Sequence, residues 1–266
     1  QNILKNIKTV ISIKKINSNL INELKIGIQY FEYSRVIELG QTIKEKAQNN
    51  FQQNIELVEE DDIASIIYTS GTTGEPKGAV ITHKAFYSML DNITSTLQNN
   101  IDHNDKTLTF LPLSHVFGRC DSMLNLALGL ENIYARSLDQ IIDDLAIVKP
   151  TVMLAVPRIF EKVHAKIVDT IENSSFSKRK IFSWAESVSS SYFSHIEKDK
   201  SPSSKLILER NLAYNLVYKK IYNRFGGKIR FFVSGGAPLS TDIMKFLRNA
   251  NLLILEGYGL TETIAP

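Results

Sequence analysis

Eleven residues, Tyr68 to Gly78 (Tyr-Thr-Ser-Gly-Thr-Thr-Gly-Glu-Pro-Lys-Gly), constrain the fold of this chain more than any other stretch. They follow an apolar, β-rich run, Ile63 to Tyr68, and precede another, Ala79-Val80-Ile81, so the pattern predicts strand, tight polar loop, strand. Glycines in the loop admit backbone angles closed to other residues. The hydroxyls of Thr69, Ser70, Thr72 and Thr73 and the cation of Lys77 supply donors. Convergent N–H groups, hydroxyls and one lysine are what a polyphosphate requires. A lysine about 4 Å from a phosphate oxygen contributes about 4 kcal/mol at an effective dielectric near 20, before desolvation is subtracted. The order Pro76-Lys77-Gly78 excludes the Walker pattern, which needs Gly before and Ser or Thr after the lysine. A plain hairpin loop explains an isolated Gly-Thr-Thr-Gly; it does not explain the whole string.

At 266 residues the chain has enough length for one large domain or two small ones. A composition 43% hydrophobic and 22% charged excludes disorder as the default, and a formal net charge of +3 is too mild to point to nucleic acid. The single cysteine, Cys120, has no partner for an internal disulfide, which favours a reducing cytoplasmic setting; no neighbouring motif marks it as reactive. No run approaches eighteen apolar residues, so no spanning helix is expected. The opening Gln-Asn-Ile-Leu-Lys has neither an initiator Met nor a signal-peptide pattern, and the chain reads as opening mid-protein.

Along the chain, strands alternate with helices. Thr9 to Ile13 is β-rich; Phe31 to Gln48 has a helical pattern closing in a Gln/Asn-rich linker, Gln48 to Asn54. A helix from Thr82-His83 carries Phe86, Met89, Leu90 and Ile93 on one face. Strands are expected at Thr107 to Leu111, near Ile133-Tyr134, at Val152 to Val156, at Ile229 to Val233 and at Leu252 to Leu255, with helices at Phe117 to Leu130, at Leu138 to Val148 and from Ser240 to about Asn249. This order predicts an α/β domain with a largely parallel sheet. From Arg158 to Phe225 the pattern is helix only, with Ile159, Val163, Ile167 and Ile171 on one helix and Leu206, Leu212, Leu216 and Ile221 on a later one, an excursion from the sheet. Its basic run Lys178-Arg179-Lys180 reads as a solvated helix face, with contact to an anionic membrane surface as the alternative.

Two further stretches carry chemistry. Ser234-Gly235-Gly236-Ala237-Pro238 lets the backbone pass flat against a planar ligand just beyond a buried strand. Glu256-Gly257-Tyr258-Gly259-Leu260-Thr261-Glu262-Thr263 presents an aromatic face, a hydroxyl and a carboxylate in one arc. An aromatic suits a purine, a threonine a phosphate oxygen, and a lone carboxylate Mg²⁺, whose ligands are hard oxygens.

Together, and in this order, the three stretches resemble the signatures of the AMP-forming adenylate-forming superfamily, which includes the acyl-CoA synthetases. Leu111-Pro112-Leu113-Ser114-His115-Val116-Phe117-Gly118 is similar to that family's histidine-bearing motif. Val156 to Val163, the helical excursion and Phe225 to Phe232 resemble the long-chain fatty-acid–CoA ligase branch in particular. The resemblance covers essentially the whole chain. It implies an α/β fold: the central part of a large N-terminal domain, with the all-helical excursion at about 158–225. It also implies that an N-terminal subdomain precedes Gln1, and that a ribose-binding aspartate, a hinge and a C-terminal lid with a catalytic lysine lie beyond Pro266. On that expectation 1–266 is a partial AMP-binding domain without its lid, inactive by itself, and turnover by this piece distinguishes an enzyme from a nucleotide-binding remnant.

For the intact enzyme the resemblance implies ATP-dependent activation of a long-chain fatty acid to acyl-AMP and then acyl-CoA, with ATP, Mg²⁺ and coenzyme A taking part. It assigns Thr69, Ser70, Gly71, Thr72, Thr73, Gly74 and Lys77 to the β- and γ-phosphates, and Thr261 to the α-phosphate. Glu262, with Thr69, is assigned to Mg²⁺. Gly235, Gly236, Ala237 and Tyr258, flanked by Glu256, Gly257 and Gly259, frame adenine, and His115 orients the carboxylate. The apolar helix after Gly118 reads equally well as a wall of an acyl tunnel and as core packing. Three alternatives stay open: a ligase for another carboxylic acid, a fatty acyl-AMP ligase, and a non-catalytic nucleotide-binding protein. So do a homodimer and peripheral contact with the inner face of a membrane.

Overall fold

A computed structural model describes residues 7–17, 19, 21, 24, 27–69, 75–97 and 99–264, with only the backbone of 44–50. The chain divides into two units, Gln1–Glu59 and Glu60–Pro266. In the first, strands β1 (Thr9–Ser12) and β2 (Gln29–Glu32) pair in parallel, Thr9 opposite Gln29, and helix α1 (Tyr33–Glu56) follows. The expected linker at 48–54 is helical. Neither Gly nor Pro interrupts that stretch, and Gln is a good helix former, so α1 runs through it. No side chain of this unit is buried among the described residues.

The second unit opens with the expected hairpin, β3 (Ile63–Thr69) antiparallel to β4 (Lys77–Thr82), in which Tyr68 faces Gly78 and Thr69 faces Lys77. The hydroxyl of Thr82 accepts the Ala85 amide at 3.2 Å and so starts helix α2 (His83–Leu97), which buries Phe86 and Met89. Then come β5 (Lys106–Thr109), α3 (Val116–Ala127) and β6 (Glu131–Tyr134), with β5 and β6 parallel. Helix α4 (Ile141–Val148) ends at Lys149 in the left-handed region, one residue before Pro150. Strand β7 (Val152–Ala155) pairs in parallel with β8 (Phe231–Ser234), and β8 with β9 (Leu253–Glu256), around helix α9 (Thr241–Asn249).

The excursion between β7 and β8 is all helix, as its pattern predicts: α5 (Pro157–Glu172, proline in its first turn), α6 (Phe176–Ile196), α7 (Ser204–Ala213), a π turn (Tyr214–Tyr218) and α8 (Lys219–Arg224). Ser203 caps α7 by accepting the Leu206 amide at 3.3 Å. Of the apolar series expected on the later helix, Leu212 and Leu216 are about half exposed. Ile221 is buried as expected, whereas Arg210, Ala213 and Tyr218 take the other inward positions; the extra residue of the π turn shifts the helical phase between Leu212 and Ile221. Arg210 is buried, and its Nη2 donates to the Asn249 carbonyl at 2.6 Å and to Asn251 Oδ1 at 3.1 Å, while its Nε has no partner among the described residues.

Two large clusters of buried side chains hold this unit, beside a small one of Ile101, Val152 and Phe231. The larger joins β5, β7 and β8 to α4–α9, with Phe232 edge-on to Phe160 at 5.2 Å and to Phe225 at 5.5 Å. The other, beneath the hairpin, gathers Ile67, Ile81, Phe86, Met89, Val116, Cys120 and Ile264. A clasp fixes the strand starts. Asp105, Thr151 and Arg230 immediately precede β5, β7 and β8, and Asp105 accepts from the Thr151 hydroxyl at 2.6 Å and from the Arg230 guanidinium. The Thr151 amide donates to Lys106 O at 2.8 Å, and the Arg230 amide to Thr151 O at 2.7 Å. With their starts aligned, these parallel strands also end together, and ligand crevices of α/β sheets lie at that edge.

Candidate functional site

The loops leaving β5, β7, β8 and β9 open into one crevice of about 1350 Å³, closed on another side by the base of the β3–β4 hairpin. That is larger than an ordinary small-molecule pocket, and has room for a nucleotide and a second substrate. From the hairpin come Thr69 and Lys77, the last and first residues of the paired strands; the Thr69 hydroxyl leans toward the Lys77 carbonyl at 3.4 Å. Ser70, Gly71, Thr72, Thr73 and Gly74 lie outside the described residues. Their anchors are at the crevice wall.

From the β5 end come Phe110 to Pro112 and then His115 to Gly118. The His115 amide donates to the Pro112 carbonyl at 3.0 Å, folding the motif into a turn ahead of α3. Gly118 is required there: a Cβ would stand 2.3 Å from the Pro112 carbonyl oxygen. Behind the turn, Asp121 of α3 accepts from the Thr109 hydroxyl at 2.9 Å and from Asn125 Nδ2 at 3.1 Å, tying α3 to the end of β5. Burial pushes the Asp121 carboxyl up to about 6 although both hydrogen bonds pull it down. Only the first residues of α3 reach the crevice; Cys120 and Leu124 are core, so packing accounts for most of its apolar face. Burial raises the Cys120 thiol to about 12, and its Sγ donates to the Ile264 carbonyl at 3.4 Å. An unreactive thiol is what the sequence suggests.

From the β8 end, Gly235 and Gly236 line the wall, with the Gly235 amide bound to the Ala155 carbonyl at 3.1 Å. A Cβ on Gly235 would meet the Phe117 ring at 3.0 Å. From the β9 end come Gly257, Gly259, Thr261 and Glu262. The last two sit in a short 3-10 turn (Thr261–Thr263) that is held from below by Ile264, buried in the hairpin cluster. That anchor explains how the hairpin and the final motif meet.

Three expected site residues do not line the crevice. Tyr258 is 84% exposed, and Ala237 is also exposed. Glu256 instead accepts the Leu239 amide at 3.2 Å, bracing the turn after β8 against the end of β9. Conversely, the crevice contains groups to which the sequence reading gave no role: Arg158, Glu161 and Lys162 of α5, and Asp139, whose Oδ1 pairs with Lys162 Nζ at 3.0 Å. The available signal was position, since Arg158 lies in the first turn of the helix that follows β7, on the edge of the sheet where Gly235 follows β8.

Among the described residues no group of three or more His, Cys, Asp or Glu converges on a cation site. One exposed carboxylate, Glu262, with the Thr69 hydroxyl on the same crevice, fits Mg²⁺ carried in on a polyphosphate, because that ion keeps waters and phosphate oxygens as its other ligands. No helix among the described residues is long and apolar enough to cross a membrane.

The family model for AMP-binding enzymes matches residues 5–266. Long chain acyl-CoA synthetase 1 of Arabidopsis thaliana is 31% identical over 270 residues, which cover 98% of this chain and 38% of that protein. Long-chain-fatty-acid–CoA ligase 1 of Saccharomyces cerevisiae is 30% identical over 260 residues, covering 93% of this chain and 34% of that one. Among solved structures, the adenylation domain of a carboxylate reductase from Mycobacterium chelonae superposes with a TM-score of 0.52 at 26% identity, over 76% of this chain and 27% of that one. The chain thus spans between a quarter and two fifths of the length of these proteins. Motifs, crevice and family match agree: the protein belongs to the AMP-binding enzyme family.

Proposed function

We propose that the crevice binds ATP and activates a carboxylic acid, in the intact protein a long-chain fatty acid, as its acyl-adenylate before transfer to coenzyme A. The observation that carries this reading is the convergence of Lys77, His115, Gly235, Gly236, Thr261 and Glu262 on a single crevice from four separate chain segments. A carboxylate oxygen attacks the α-phosphorus, its bond to phosphorus forms, and the bond to the bridging oxygen breaks to release pyrophosphate. The thiol of coenzyme A then attacks the acyl carbon, loses its proton, and AMP departs. Carboxylate oxygen is a poor nucleophile, so the chain supplies position and charge rather than acid–base power.

Lys77, with the loop 70–74, meets the β- and γ-phosphates, and Thr261 the α-phosphate. Gly235 and Gly236 give the base a flat floor, and Tyr258 turns in from solvent to stack on it. His115 orients the incoming carboxylate. Glu262, assisted by Thr69, would hold Mg²⁺, and a bound ion would supply Lewis-acid stabilisation of charge on the phosphates. Arg158 adds a cation to the same crevice.

Pyrophosphate exchange on the intact protein tests the assignment. Glu262→Ala should lower the rate at least about a hundredfold, the scale for losing a transition-state charge stabiliser; a near wild-type rate sinks it. Long-chain preference rests on the relatives named above. Each buried methylene adds about 0.8 kcal/mol, so kcat/KM should rise from acetate to palmitate. A higher value for acetate or an aromatic acid replaces the substrate while leaving adenylation in place.

A further inference from the structure

The helical excursion contains a second cavity, about 610 Å³, that shares no lining residue with the crevice. Three helical segments build it, each with residues at helical spacing: 167, 170 and 171 of α5; 178, 181 and 182 of α6; and 217, 220, 221 and 224 across the π turn and α8. Its floor is apolar, formed by Ile167, Ile171, Phe182, Val217 and Ile221. Its charged lining is cationic throughout: Lys178, Lys220 and Arg224, with no carboxylate. None of the three cations is in an ion pair or a side-chain hydrogen bond among the described residues.

The basic run on α6 is divided by this geometry. Arg179 donates to the Glu172 carbonyl at 3.0 Å and so closes the end of α5, while Lys180 stands 4.7 Å over the Phe176 ring. Only Lys178 of the three lines the cavity. At the lip, Leu216 is 48% and Ile181 44% exposed, so hydrocarbon continues from floor to solvent. The π turn brings Leu216 and Val217 to this wall, and such turns occur often at functional sites.

We infer that this groove binds a long-chain carboxylate, hydrocarbon on the Ile167–Ile171–Phe182 floor and head group among Lys178, Lys220 and Arg224, at a site separate from the crevice. An apolar floor gains from burying methylenes, and three uncompensated cations of one sign attract an anion. A single-chain anionic amphiphile satisfies both at once, and a guanidinium can take a carboxylate with two parallel hydrogen bonds. The volume falls within the range of small-molecule pockets. Concavity favours an inserted chain over a flat membrane surface. The inference stands on the groove alone and does not need the adenylation reading.

The test is equilibrium dialysis of the intact protein with dodecanoate, below its micellar concentration, alongside dodecanol and dodecyltrimethylammonium. The Lys220→Ala/Arg224→Ala pair should weaken one dodecanoate site about tenfold, the scale for two partly exposed charges, and leave pyrophosphate exchange unchanged. Leu216→Asp, at the half-exposed lip, should weaken the same site without a change in melting temperature. Wild-type affinity in both variants overturns the inference, as does equal binding of the cationic amphiphile. Binding to phosphatidylserine vesicles with no site for free dodecanoate overturns it in favour of a membrane face. Absence of any charge-dependent site in the intact protein, as when another part of the chain fills the groove, overturns it too. Failed pyrophosphate exchange with an intact dodecanoate site counts against the crevice reading and leaves the groove standing.

Discussion

The crevice has two walls that differ in what holds them. At the strand-end wall, Met153, Ala155, Phe232 and Ser234 of β7 and β8 are at most 1% exposed, locked between helices on a core of aromatic edges. At the hairpin wall, Ile66, Tyr68 and Val80 are 51%, 72% and 58% exposed, and only the opposite face, with Ser65, Ile67 and Ile81, is buried. The first wall is dense, and its backbone positions follow from packing that tolerates little change. The second is a two-stranded ribbon anchored on one side, and two strands alone are barely stable. Exact placement of Gly235, Gly236 and the His115 turn is therefore a property of the core, whereas the charge of Lys77 is delivered by a lighter and more adjustable element. Substitutions in the two walls should separate: structural consequences in one, binding consequences in the other.

The sharpest test of that separation is Gly118→Ala. The new Cβ meets backbone on every side, 2.3 Å from the Pro112 oxygen, 2.8 Å from its carbonyl carbon and 3.0 Å from the Leu111 oxygen. No flexible side chain is available to yield, so α3 must move from the end of β5. A loss of about 3 kcal/mol or more is expected, the upper range for overpacking, read as a lower urea midpoint together with lost activity. An unchanged midpoint would show that the strand-end wall is as adjustable as the hairpin.

Next in size is the pH response of the same wall. The buried Asp121 carboxyl, pushed up to about 6, keeps a proton in the folded state that the unfolded chain gives up near pH 4. The folded state therefore binds more protons between these values, and stability falls as pH rises from about 4 to about 6, then levels off. The full effect is on the order of 3 kcal/mol. Asp105 acts in the other direction: burial works against its ionised form, but Thr151, the Asp102 amide and Arg230 outweigh it and hold the carboxyl below its ordinary value. Its contribution is complete above pH 4 and is lost below. Denaturation at pH 4.5 and pH 7 should show the Asp121 slope in the wild type and its disappearance in Asp121→Asn. A slope that persists in the variant assigns it to another group.

The sequence made one half of this picture readable and hid the other for a physical reason. Strand, loop, strand at Tyr68–Gly78, His115 at the end of β5, Gly235 after β8 and Glu262 after β9 were legible, because each is a short motif whose residues are neighbours in the chain. The clasp of Asp105, Thr151 and Arg230 joins residues 46 and 125 positions apart, and no local pattern announces it. Lys162 and Asp139 meet across 23 residues for the same reason. The apolar repeat points Leu212 and Leu216 inward, yet Arg210 and Tyr218 occupy the interior, because the face that α7 and the π turn bury is set by packing and the π turn breaks a strict helical repeat. Tyr258 followed from chemistry, aromatic for purine, but chemistry alone does not say which way a side chain on an exposed turn points.

The smallest effect belongs to the hairpin wall, and it completes the comparison. Lys77 is exposed, opens β4 opposite Thr69, and makes no ion pair among the described residues. Removing an unpaired exposed cation leaves no cavity and no orphaned partner, so Lys77→Ala should shift stability by less than about 0.5 kcal/mol. Its expected cost is in nucleotide affinity: about tenfold weaker ATP binding, or about 1.4 kcal/mol, as a charge-assisted contact with a solvated phosphate is lost. Because the contact is exposed, raising salt should shrink the difference between wild type and variant. Lys77→Arg keeps the charge and should recover most of the affinity. Calorimetric ATP titrations at low and high salt, paired with thermal melts, read both quantities on the same samples. A lower melting temperature with unchanged ATP affinity would reverse the assignment, making Lys77 a structural residue of the hairpin and leaving the phosphates to Arg158 and Thr261 across the crevice.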